Sequence, residues 1–82
     1  MADVDKNELR TLVADAIELE PEEVTDTADF VSELEVDSLT TLEITMRLEK
    51  KYGIKMAEEE LLEITSLNRV HELVTAKLAA TS

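Results

Sequence analysis

Apolar residues return every three or four positions in three separate stretches of this chain: Leu9, Leu12, Val13, Ala16 and Ile17, then Ile44, Leu48 and Tyr52, then Leu67, Val70, Val74 and Leu78. That period belongs to amphipathic helices that bury one face against one another, so the chain is constrained to an all-α bundle. Asp5 with Glu8 imitates a capping box and Pro21 disfavours helix at Glu20, which predicts a first helix from Lys6 to Leu19. A second is expected from Ser38 to Lys51, stopped by Gly53 as a C′ glycine, with Lys50 and Lys51 at the negative end of its dipole. A short third helix is expected near Ala57 to Ile64, and a closing one from Thr65 or Ser66 that frays over Ala79 to Ser82. The expected fold is therefore a small bundle of three principal helices plus one short helix, a single domain over residues 1–82, with Leu12, Ile17, Ile44, Leu48, Val70 and Val74 in its core.

Between the first two helices the period is lost. From Glu20 to Val36 the apolar residues Val24, Phe30, Leu34 and Val36 stand singly among acids and threonines. A loop this long needs anchoring in a compact domain, and Phe30 and Leu34 are the expected anchors. The second helix carries two apolar stripes at 100° per residue: Ile44, Leu48 and Tyr52 on one side, assigned to the core, and Leu39, Leu42 and Met46 roughly opposite. The second stripe begins beside Ser38, where it is placed either to meet a partner or to shelter an apolar chain.

Charge narrows the function. The 82 residues hold 20 Asp and Glu against 8 Lys and Arg, a formal net charge of −12, and no Lys or Arg stands between Arg10 and Arg47. Such a field repels nucleic acid and favours basic protein partners. With no cysteine the chain has neither disulfide nor thiolate nucleophile, and no apolar run is long enough for a signal peptide or membrane span. The expectation is a cytoplasmic monomer.

The chemistry concentrates in Asp37-Ser38-Leu39. Asp is a favoured N-cap whose carboxylate accepts amide hydrogens of the first turn, which leaves Ser38 exposed as the first helical residue. The unpaired N–H groups and partial positive charge of a helix start favour a phosphate attached there, while the charge of Asp37 opposes it. Other assemblies fit less well. Ser38 with His71 and a carboxylate makes a hydrolase triad on paper, but no nucleophile-elbow pattern occurs, and Gly53 stands far from the serine. The acids around Glu22, Glu23 and Asp26 lack the Asp-x-Asp-x-Asp-Gly pattern of a calcium loop, so no metal site is expected.

The order of these features along nearly the whole chain resembles the acyl carrier proteins: an amphipathic helix, an acidic loop with Asp29-Phe30 and Leu34, Asp37-Ser38-Leu39 opening a helix that ends at Tyr52-Gly53-Ile54, the acidic Glu58-Glu59-Glu60, and a helix introduced by Ile64-Thr65-Ser66-Leu67. The resemblance implies that Ser38 takes a 4'-phosphopantetheine arm from coenzyme A, flanked by Asp37 and Leu39, and that the arm's thiol carries acyl groups as thioesters. It implies a carrier without catalysis of its own, served by a phosphopantetheinyl transferase and by ketosynthase, acyltransferase and other synthase enzymes with basic docking surfaces. Glu33, Glu35, Leu42, Glu43, Met46 and Glu49 are the residues expected to meet them, with Glu43 partly neutralised by Arg47 one turn later.

Two departures from the family pattern stand out. Glu35 occupies the place of a Gly often found two residues before the Asp, and Met56-Ala57 replaces a frequent Pro. Peptidyl carriers usually show Gly-Gly before the serine pair where this chain has Glu35-Val36, which favours acyl cargo. Arg47-Leu48-Glu49-Lys50-Lys51-Tyr52-Gly53 looks more like polyketide-type carriers than like the acidic second helix of fatty acid carriers. A housekeeping fatty acid carrier, and an acidic interaction module whose Ser38 is only a cap, are the alternatives.

Overall fold

The computed structural model describes residues 4–81. Three α-helices, α1 (Lys6–Ala16), α2 (Ser38–Tyr52) and α3 (Leu67–Thr81), are joined by a long loop with a 3-10 turn at Pro21–Glu23 and by a connection built around a 3-10 segment, Glu58–Glu63. Among the described residues there is no strand. None of their helices is long and apolar enough to cross a membrane.

α1 packs against both other helices, and the core they share holds Leu9 and Val13 of α1, Ile44 and Leu48 of α2, and Leu67, Val70 and Val74 of α3, all fully buried. Leu12 and Ile17, expected in the core, are only partly buried and pack against its edge. The stripe on α1 is centred one residue from where the spacing put it. Leu12 instead lines a groove between α1 and α2, bordered by the Asp15–Arg47 and Glu8–Lys51 ion pairs at 3.8 and 4.0 Å.

α1 stops at Ala16 rather than Leu19. The Leu19 N–H donates to the Ala14 carbonyl at 2.9 Å and the Glu18 N–H to the Asp15 carbonyl at 3.4 Å, the paired bonds of a Schellman stop with Glu18 at the left-handed position, φ 59°. Glycine usually fills that position, and a Glu there leaves no punctuation to read. α2 runs one residue past Lys51 to Tyr52, because Gly53 takes the left-handed conformation at φ 65° as expected. The short third helix is 3-10 rather than α. α3 begins at Leu67 because the Ser66 hydroxyl accepts the Arg69 N–H at 3.2 Å. It is helical through Thr81 and so takes in Ala79 and Ala80, while Ser82 lies outside the described residues.

The long loop is held by burial and by one ion-pair network. Phe30 is fully buried, as are Val24 and Val36, whereas Leu34, the second expected anchor, is half-buried at the edge. The Phe30 N–H donates to the Thr65 carbonyl and the Phe30 carbonyl accepts from the Val36 N–H, both at 2.8 Å. Arg10 donates to the Val24 carbonyl and to the Asp26 carboxylate. Lys6 reaches Asn68 at 2.8 Å and Asp26 at 3.6 Å, and the Asn68 N–H donates to the Asp26 carbonyl at 3.1 Å. Asp26 thus ties the loop to α1 and α3 together.

Glu18 and Glu35 both hold positive φ, 59° and 55°, which costs an L-residue about 1–2 kcal/mol, partly offset in glycine by its larger unfolded-state entropy of about 0.5–1 kcal/mol. Glu18→Gly and Glu35→Gly should each raise stability by about 0.5–1 kcal/mol in a urea titration; loss of stability would mean that these carboxylates hold the backbone more than they strain it. The hydrogen bond from Arg10, the largest influence, holds the Asp26 carboxyl below the usual range. The folded chain therefore binds that proton less well than the unfolded one, so the stabilisation is present above the unfolded pKa and lost as pH falls through the folded one. Acid also relieves the repulsion of a −12 chain, so the comparison must be differential. Melting temperature should fall less between about pH 5 and pH 3 in Asp26→Asn than in the native sequence.

Candidate functional site

Ser38 is the first residue of α2 and is exposed. Asp37 sets it there: its extended backbone (φ −101°, ψ −177°) ends the loop, its carboxylate accepts the Thr40 N–H at 2.8 Å, and its carbonyl accepts the Thr41 N–H at 2.8 Å. The Thr40 amide is the main cause that holds the Asp37 carboxyl below the ordinary range. The carboxylate is committed to the backbone as a cap. Its charge therefore stays at the helix start, where it stabilises the helix and makes the field around Ser38 less positive than a bare helix end.

A cleft of about 470 Å³ opens beside the serine. The loop contributes Val31 and Val36, the 3-10 segment and its end contribute Leu61, Leu62 and Ile64, and Thr41 and Thr65 add hydroxyls. Val31 and Leu62 are 63% and 81% exposed, so apolar side chains stand open on both rims. Neither rim was singled out from the sequence. Val31 follows the anchor Phe30, and the Leu61-Leu62 pair interrupts a run of glutamates; those were the available signals, but neither falls on a helical stripe.

The second stripe of α2 is open. Leu39, Leu42 and Met46 are 75%, 45% and 56% exposed, and they run along the helix from Ser38. The expected acidic residues divide. Glu43 is exposed and pairs with Arg47 at 2.9 Å, as its spacing indicated. Glu33 is exposed, with its carboxylate accepting the Asp29 N–H at 2.7 Å. Glu35 is exposed in its left-handed turn. Glu49 is different: it is partly buried and accepts the Met56 N–H at 2.9 Å. It fastens the chain after α2 to that helix.

His71 donates from Nε2 to the Val4 carbonyl at 2.8 Å, fixing the segment before α1 to α3. That nitrogen is occupied in a structural bond, which suits a packing residue and not the base of a hydrolytic triad. The cations gather at the other end of α2, where Arg47, Lys50, Lys51 and Lys55 make up half of the 8 in the chain.

Residues 7–74 match the family described as the phosphopantetheine attachment site. The chain is 58% identical over 78 residues to the polyketide-8 synthase acyl carrier protein 2 of Streptomyces avermitilis, covering 95% of this chain and 90% of that one. It is 32% identical over 72 residues to an acyl carrier protein of Thermosynechococcus vestitus, covering 88% and 89%. The solution structure of the oxytetracycline acyl carrier protein superposes with a TM-score of 0.78, covering all of this chain and 90% of that one, at 23% identity, a likeness of fold. The serine-tipped helix with its adjoining cleft thus stands in a chain that belongs to the acyl carrier proteins, phosphopantetheine-dependent carriers without catalysis of their own.

Proposed function

We propose that Ser38 is the attachment point of the 4'-phosphopantetheine arm and that residues 1–82 act as one carrier domain, in the cytoplasm, for acyl intermediates of a polyketide-type synthase. The observation that carries this reading is the exposed hydroxyl at the first position of α2, fixed by the Asp37 cap at the mouth of an apolar-walled cleft. The pathway rests on the 58% identity to a polyketide synthase carrier. The residues present fit the group: an exposed hydroxyl can be reached by a transferase, free amides of a helix start face a phosphodiester, and the cleft beside it is lined mainly by apolar side chains.

The division of labour follows from that geometry. Ser38 Oγ supplies the attachment oxygen. Asp37 fixes the turn that presents it. When bound, the prosthetic group supplies the thiol that this cysteine-free chain lacks. Val31, Leu61 and Leu62 exclude water from whatever lies in the cleft. Leu39, Leu42, Met46 and Glu43 form the face that meets the phosphopantetheinyl transferase and the ketosynthase and acyltransferase, with Glu33 and Glu35 behind them. Long-range attraction to basic partners with modest apolar contact suits a carrier that must leave each enzyme after visiting it.

Incubation with coenzyme A and a broad-specificity phosphopantetheinyl transferase should add the mass of one phosphopantetheine to the native chain and none to Ser38→Ala. Labelled Ser38→Ala would move the site elsewhere, and an unlabelled native chain would end the carrier reading. In stopped-flow association with the same transferase, Glu43→Lys should slow binding several-fold at low salt and leave helix content intact, because the pair it breaks is exposed and weak. Glu49→Lys should instead lower the melting temperature, since it removes the acceptor for the Met56 amide. Unaltered kinetics in Glu43→Lys would place docking on another face.

A further inference from the structure

The 3-10 segment Glu58–Glu63 has no buried side chain of its own, yet it supplies Leu61 and Leu62 to the cleft beside Ser38. The chain is fully buried only at its two flanks, Ile54 and Ile64, which are 4% and 3% exposed. Between them Met56 packs against the edge of the core, and the ties of Glu58–Glu63 to α3 are polar. The Glu49 carboxylate holds the Met56 amide. Glu60 accepts the Ala57 N–H at 2.7 Å and pairs with Lys77 at 2.7 Å, and Glu63 pairs with Arg69. Among the described residues the Lys77–Glu60 pair is the one ion pair in which both side chains are less than a quarter exposed, at 22% and 20%, where screening by water and salt is weakest. Arg69 and Lys77 lie eight positions apart on α3, about 12 Å along its axis, and so grip the segment at two points.

We infer that Lys77 and Arg69 are positioning residues: through Glu60 and Glu63 they hold the 3-10 segment closed as the outer wall of the cleft, and thereby set how long a group carried on Ser38 stays sheltered. This rests on the reading of Ser38 as the attachment point. A wall held mainly by apolar burial would open only at the cost of exposing that surface. One held by two ion pairs opens when its glutamates are offered other cations. A basic partner that takes Glu60 or Glu63 from α3 therefore loosens the wall as it docks, which couples recognition to exposure of the cargo.

Amide hydrogen exchange on the unmodified chain reads the wall directly. Lys77→Met, which keeps most of the apolar stem, and Arg69→Gln should each speed exchange at Glu60 and Ile64 about two- to fivefold, the range that follows from about 0.4–1 kcal/mol for such a pair, and leave Ile44 and Leu48 unchanged. After Ser38 is loaded with an acyl-phosphopantetheine, hydroxylamine should cleave the thioester faster by a similar factor in the same variants. Lys77→Arg, which keeps the cation and leaves the Glu60 carboxylate on the Ala57 amide, should hold both rates near those of the native chain. The inference is overturned if exchange at the wall is unaltered, if it rises equally at Ile44 and Leu48, or if the wall loosens and the thioester is cleaved no faster. Failure of the native chain to load would refute the Ser38 reading instead, and the exchange measurement would still decide whether α3 clamps the wall.

Discussion

Phe30 is the residue by which an irregular loop acquires a fixed position. Its ring is fully buried, its amide is held by Thr65 just before α3, and its carbonyl holds Val36 just before the Asp37 cap. The start of α2 is therefore measured from α3 through a single residue. Ordering a loop residue costs about 1–2 kcal/mol, while burying one Phe contributes about 1.5–3 kcal/mol. The ring alone cannot hold so long a segment. Val24, Ala28 and Val36 share the burial, and Asp26 adds a polar crosslink to both neighbouring helices. The orientation of Ser38, the opening of the cleft and the relation of the cleft to the 3-10 segment all depend on that anchored loop.

A net charge of −12 conceals two populations of carboxylate. One is spent on architecture: Asp37 and Asp29 accept backbone amides, Glu49 and Glu60 fasten the connection after α2, and Asp26 joins the loop to Arg10. The depressed pKa values at Asp26, Asp29 and Asp37 follow from those bonds, and that at Glu60 follows first from its bond with Lys77 and then from the Ala57 amide. The other population, with Glu43 and Glu35 among it, is exposed along the site end of the molecule. The first set keeps its charge because the fold needs the bonds; the second is available to set the outer field.

Much of this was legible in the chain. The three helices could be read from apolar spacing, and Asp37, Ser38 and Gly53 from capping chemistry, because those signals are local. Phe30 could be read as an anchor because it is the only phenylalanine in a polar stretch. What stayed hidden was set by distant contacts or by an unusual residue. Glu18 closes α1 in a conformation that glycine normally signals, so the helix looked three residues longer. Leu12 and Leu9 look alike in spacing, and only the crossing of α1 with its neighbours decides which is buried. Glu49 appeared to be one more surface acid because its partner is a backbone amide seven residues on. The cleft draws its walls from segments without a helical period, so no sequence pattern outlined it.

The placement of cations has a consequence for how the molecule turns in solution. α2 carries Ser38 at its first position and Lys50, Lys51 and Lys55 at and beyond its last turn. At 1.5 Å per residue its 15 residues separate those ends by about 22 Å, more than twice the screening length of about 8 Å at physiological ionic strength. The chain is therefore electrically lopsided along one axis. Its own helix backs this arrangement, because cations also stabilise a helix C-terminus. A positive surface exerts a torque on such a body as well as an attraction. On the proposed reading, the carrier is turned serine-first before any side chain touches, and the lysine end, its cations partly matched by Glu8 and Asp15, draws a basic partner less strongly.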